Sequence, residues 1–338
     1  MGNDADNLAL AREADRLGYS VVWAAEAYGS DAPTVLAWVA AQASRVDIGS
    51  AVMQIPARTP ATTAMTAATL DTLSGGRFRL GLGVSGPQVS EGWYGVPFAK
   101  PLARTREYID IVRMALARER VRYTGATFTL PLPDGPGKAL RLTVHPVRDH
   151  IPIYLGAVGP KNLELAGEIA DGWLAIFYSP EHADELVPHV AAGRAKAGKT
   201  LDGFDVAVTA SMSVGDDLQA AAAPLRSMAA LYVGGMGSRE RNFYNALAVR
   251  MGYADAAAEV QDRYLAQDYD GAAAAVPFEF IDRTALLGPP GRIAERMAAF
   301  AASGVTTLAV APLAATLDDR LRALTTAAEA LDKSGAVQ

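Results

Sequence analysis

The chain contains no cysteine, which excludes disulfides, thiolate nucleophiles and cysteine metal centres while leaving the compartment open. Histidine is scarce as well. Four are scattered at 145, 150, 182 and 189 with no HExxH pattern, so no structural zinc or iron site is expected. No apolar run approaches the ~20 residues of a membrane span, and the start MGNDADN lacks the basic and apolar regions of a signal peptide. A soluble cytoplasmic protein with no membrane partner is the expectation. Basic excess is missing too: 31 Lys and Arg against 37 Asp and Glu give a net charge of −6. Nucleic acid is therefore not an expected partner, and any phosphate must be held locally.

What is present is a chain of 338 residues, half of them apolar, long enough for one large core or two domains. Apolar runs read as strands at 19–26, 47–54, 77–84, 151–157, 172–177, 205–214 and 306–311. Helical patterns lie between most of them, with connections short enough for a parallel sheet. A (β/α)8 barrel needs eight such strands. The chain opens in a helix that would follow a first strand, so the expected fold is an α/β, TIM-like barrel with insertions whose first strand is missing from this chain. An open doubly wound sheet is the alternative. Two stretches break the rhythm. Residues 121–145 read as an inserted hairpin, with Tyr123–Leu130 and Leu140–Val144 alternating around Pro133-Asp134-Gly135. Residues 234–285 read as a helical insertion. No linker divides the chain, so residues 1–338 are expected to form a single domain.

The stretch from Arg77 to Gly95 organises the rest. Phe78, Leu80, Leu82 and Val84 share one face of a strand, with Gly81 and Gly83 on the other. Gly81, Gly83 and Gly86 spell G-x-G-x-x-G, but a dinucleotide fingerprint needs its third glycine to open a helix, and here Pro87 and a polar loop through Pro97 follow. What survives is a strand ending in bare backbone that a flat or anionic group can approach. Glu26 and Gln54 end neighbouring strands, so both side chains can converge on the mouth. They are the candidate catalytic residues, for hydrogen bonding or, with burial, proton transfer. Lys161 stands near a helix N-terminus, where amides favour an anion.

Several motifs, weak singly and specific in their order, resemble the luciferase-like monooxygenase superfamily, in the branch that uses the deazaflavin coenzyme F420. They are Ala24-Ala25-Glu26-Ala27-Tyr28-Gly29-Ser30-Asp31, the run from Pro60 through Leu73-Ser74-Gly75-Gly76-Arg77-Phe78, Leu80-Gly81-Leu82-Gly83-Val84-Ser85-Gly86-Pro87-Gln88, Pro101-Leu102-Ala103-Arg104-Thr105-Arg106-Glu107-Tyr108, Ile153-Tyr154-Leu155-Gly156-Ala157-Val158-Gly159-Pro160-Lys161 and Ala170-Asp171-Gly172-Trp173. The resemblance implies a barrel whose C-terminal mouth carries the tricyclic ring. It also implies a bulge with a non-proline cis peptide at Ala51-Val52, which backs the ring. The phosphate side of the coenzyme would meet Val84-Ser85-Gly86 and the loop Ala157-Val158-Gly159, with Lys161 beside it. The sugar-phosphate dehydrogenase branch has a histidine after the acid. Here that position is Ala27, which argues against glucose 6-phosphate as substrate. The implied activity is hydride transfer between the deazaflavin C5 and a small organic substrate, and the implied assembly is a homodimer. An FMN-dependent monooxygenase on the same barrel, or a non-catalytic flavin-binding protein, are the alternatives.

Overall fold

The computed structural model describes residues 4–336. They divide into two compact units, one running to Gly156 and including Glu168–Gly172, the other comprising Ala157–Gly167 and the chain from Trp173 on. Among the described residues no helix is long and apolar enough to cross a membrane.

The first unit is a βα alternation: α1 (Asp4–Leu17), β1 (Val21–Ala24), α2 (Ala32–Ala40), β2 (Asp47–Ser50), β3 (Met53–Gln54), α3 (Pro60–Ser74), β4 (Phe78–Gly83), α4 (Pro87–Ser90), α5 (Pro101–Leu116), a β5–β6 ribbon (Tyr123–Thr124 and Thr129–Leu130) and β7 (Ile153–Gly156). Its strands pair in parallel in the order β1-β2-β4-β7, with β3 also on β4. The helix boundaries have local causes. Asp31 and Thr59 cap α2 and α3 by accepting the Thr34 and Thr62 amides, each followed by an early proline, and Gly75 in the left-handed region ends α3. Phe78, Leu80 and Leu82 on β4 are wholly buried.

Three expectations change here. The strand read as 47–54 is two strands, because the chain breaks at a cis Ala51-Val52 bond. The hairpin is shorter: Tyr123 faces Leu130 and Thr124 faces Thr129, while Leu140–Val144 forms no strand. Glu107, buried on α5, accepts the amides of Ala126, Thr127 and Phe128 at 2.7, 2.8 and 3.0 Å and so fixes the turn early. Pro87 does open a helix, but one of only four residues, and the dinucleotide reading stays excluded.

The second unit holds most of α6 (Pro160–Ile169), β8 (Gly172–Ile176), α7 (Val187–Lys196), β9 (Asp205–Val214), α8 (Leu218–Ala230), α9 (Phe243–Arg250), α10 (Ala254–Leu265), α11 (Tyr269–Ala275), α12 (Phe278–Thr284), β10 (Leu286–Gly288), α13 (Pro290–Ala302), β11 (Thr307–Pro312) and α14 (Leu317–Ser334). β9 pairs in parallel with β11 along most of its length and with β10 at its end. β10 is absent from the sequence-based reading. Three residues before Pro289-Pro290 are too short a run to show a strand period.

Candidate functional site

In the first unit the C-terminal ends of β1, β3 and β4 carry Glu26, Gln54 and Val84-Ser85-Gly86. The structure brings Glu26 and Gln54 together through the backbone, since Glu26 Oε2 accepts the Gln54 amide at 3.0 Å. Glu26 is buried, and its remaining contacts are with Ala32 and Arg58. Arg58 Nη1 and Nη2 lie 2.8 and 2.7 Å from the two carboxylate oxygens, and the Ala32 amide lies 3.3 Å from Oε1. Arg58 Nη2 also grips Asp31 Oδ1. The hydrogen bond to Glu26 raises the Arg58 pKa against burial, with Asp31 adding to it. The same cluster keeps the Asp31 carboxyl below its ordinary range: burial opposes this, but the Thr34 hydrogen bonds and Arg58 outweigh it. Four donors thus occupy Glu26, and proton transfer through it would first have to break one of those bonds.

Sequence reasoning missed Arg58. The available signal was Glu26 itself, because a carboxylate at the end of a buried strand needs a cation. The carbonyl of Arg58 in turn accepts the Tyr108 hydroxyl at 3.1 Å, which ties the clamp to α5.

Gln54 is 5% exposed, and its Oε1 is buried without a hydrogen-bond partner among the described residues. Buried carbonyls rarely go unpaired, and this one is among the few side-chain polar atoms of the described residues that do. Beside it, Ala51 and Val52 are half-exposed between the buried Ser50 and Met53. The Val52 side chain stands where two glycines leave room. A Cβ on Gly83 would meet Val52 Cγ2 at 2.5 Å, and one on Gly156 would meet Cγ1 at 3.3 Å. Gly83 therefore admits a valine of the same chain, which corrects the expectation that its face is bare backbone. Gly81 is likewise engaged, its N–H and C=O both bound to Ser50 Oγ at 2.9 and 2.8 Å. Ser85, just after β4, is left-handed at φ 60, and Ala27, just after β1, at φ 44. Non-glycine residues held there concentrate at functional sites. The loop after β4 reaches back to β1, as Tyr94 Oη donates to the Ala27 carbonyl at 3.3 Å. Trp93 on that loop is exposed.

In the second unit the Ala157 and Val158 carbonyls accept Trp173 Nε1 at 2.8 Å and Arg250 Nη2 at 3.2 Å. The Gly159 carbonyl takes the first amides of α6. Lys161 is exposed and has no acidic partner among the described residues. Arg250, also missed, is half-buried with an unpaired Nε, and burial lowers its pKa.

Residues 3–307 match the luciferase-like monooxygenase family. The chain belongs to that family. It is 47% identical over 315 residues, 91% of the chain and 90% of the relative, to a Mycobacterium tuberculosis protein provisionally named a coenzyme F420-dependent oxidoreductase. It is 32% identical over 297 residues, 87% and 85% of the two chains, to the 5,10-methylenetetrahydromethanopterin reductase of Archaeoglobus fulgidus. The solved structure of the F420-dependent tetrahydromethanopterin reductase of Methanopyrus kandleri superposes with a TM-score of 0.82 over 97% of this chain and 94% of its own, at 24% identity. At that identity the superposition speaks for the fold, which is the TIM-barrel-like α/β fold of the luciferase-like family.

Proposed function

We propose that this member of the luciferase-like family is an F420-dependent oxidoreductase that moves a hydride to or from a small organic substrate. The observation that carries this reading is the buried, unpaired Oε1 of Gln54 beside the half-exposed Ala51-Val52 bulge. The residues present fit a deazaflavin. A carbonyl acceptor suits an N–H on the pyrimidine edge of the ring, and two small apolar residues suit its flat face. The relatives with F420 in their names support the same choice of cofactor. When bound, coenzyme F420 supplies hydride chemistry at C5, and the chain contributes position and exclusion of water.

Within that reading Gln54 is the residue that touches the cofactor, and Glu26 is a positioning residue. It holds the Gln54 backbone and is itself held by Arg58. Val84-Ser85-Gly86 receive the side arm of the coenzyme. Independently, the loop Ala157-Val158-Gly159 with Lys161 at the start of α6 receives an anionic group in the second unit. The chain is proposed to act as a homodimer, which size-exclusion chromatography with light scattering checks directly.

Gln54→Leu tests the carrying observation in two directions. Removing a carbonyl that has no partner in the free protein should raise its stability by roughly 1 kcal/mol, while weakening F420 binding by about tenfold. Unchanged F420 affinity would overturn the assignment.

A further inference from the structure

Several arginines of the first unit hold a carboxylate, as Arg58 holds Glu26, Arg79 Asp47, Arg148 Asp71 and Arg106 Glu168, and others, such as Arg77 and Arg113, hold backbone carbonyls. Arg104 does neither. Its Nε is buried without a partner, and among the described residues its guanidinium meets no acceptor. The nearest carboxylate along the helix, Glu107, is committed to the three amides of the 126–128 turn. The first turn of α5 carries no acidic residue, and its N-cap, Lys100, supplies no side-chain cap. Arg104 lines a small cleft together with Ile55, Val84, Ser90 and Pro97. Apart from Arg104 and Ser90 those walls are apolar, so they offer the cation no second acceptor group. The cleft is small and partly open to solvent, so a charged group can reach it from outside. Val84 connects it to Ser85 and Gly86.

We propose that Arg104 is the counter-ion for an oxyanion on the side arm of the cofactor, either its phosphodiester or a carboxylate of its glutamyl tail. The assignment rests on the F420 reading above. A planar guanidinium with no internal acceptor, half-withdrawn from water, gains most from a charge-assisted pair with an oxyanion.

The test is a set of fluorescence titrations of the full chain, wild type, Arg104→Gln and Arg104→Lys. The probes are the riboflavin-level deazaflavin that lacks phosphate and glutamyl groups, its 5′-phosphate, and F420 with one or several glutamyl residues. Arg104→Gln should weaken F420 about tenfold and leave the uncharged deazaflavin unchanged, with Arg104→Lys in between. Binding of the uncharged compound also shows that the variant is folded. A loss already present with the 5′-phosphate assigns the phosphate as partner, and a loss confined to the glutamylated forms assigns the tail. Equal losses for charged and uncharged compounds, or no loss for any, would overturn the proposal and leave Arg104 a solvated structural residue. A wild type that binds no deazaflavin would instead overturn the F420 reading, and this inference with it.

Discussion

Glu26 is held by more than its position requires, and the excess lies in one residue. Arg58 spans both carboxylate oxygens, reaches Asp31 with the same nitrogen and passes its carbonyl to Tyr108. Removing one partner of a buried pair leaves the other charge without compensation, so Arg58→Met should cost about 3–5 kcal/mol in urea denaturation. The double variant Glu26→Gln with Arg58→Met should recover part of that loss, because the uncompensated carboxylate is then gone. Additive losses would show that the two residues do not act as a unit. Glu26 and Gln54 were legible in the sequence because they end apolar runs. Arg58 was not, because its partner lies 32 residues away and the chain holds many arginines. Arg104 escaped because an absent partner leaves no trace in a sequence, and Arg250 because its acceptor, the Val158 carbonyl, lies 92 residues away.

The β2–β3 break and the glycines of β4 form one device. The register pairs Met53 with Leu82 and Gln54 with Gly83, which sets the Val52 side chain against Gly83. Gly83→Ala should therefore clash with Val52 and cost about 1–3 kcal/mol in thermal melts, while adding Val52→Ala should relieve most of it. No relief would mean that another neighbour limits the site. The parallel strands were readable where runs were long and alternating: β9 falls at 205–214 as expected. They were misread where tertiary contacts decide, as at the three-residue β10 and in running 47–54 as one strand, although the cis peptide at Ala51-Val52 that divides it was implied by the family resemblance. The ribbon at 123–130 was set one turn earlier than Pro133-Asp134-Gly135 suggests, since Glu107 supplies acceptors to its backbone from outside the local sequence.

At the scale of the whole molecule, a few carboxylates held by native contacts sit below their ordinary pKa, Glu107 and Glu181 among them. Burial pushes Glu107 up, but three backbone amides bring it down. For Glu181 burial is again outweighed, here by Arg296 and Ser179, which lower it to about 2. Groups depressed on folding contribute stability above their unfolded pKa and lose it as pH falls through the folded value. Stability should therefore stay level down to roughly pH 5 and decline between 4.5 and about 2, as read from denaturation midpoints in a pH series. Glu107→Gln should flatten part of that decline and lower stability at neutral pH. A midpoint that rises on acidification would contradict the assignment.

The central claim is that this luciferase-like chain is built for a deazaflavin and for hydride transfer without oxygen. The most direct measurement is a side-by-side titration of the purified protein with F420, FMN and NADPH, followed by intrinsic tryptophan fluorescence, with oxygen uptake recorded in the same samples. F420 should bind tightly, with FMN at least about tenfold weaker and no oxygen uptake. Tight FMN binding with oxygen-dependent consumption of NADPH, and no response to F420, would contradict it.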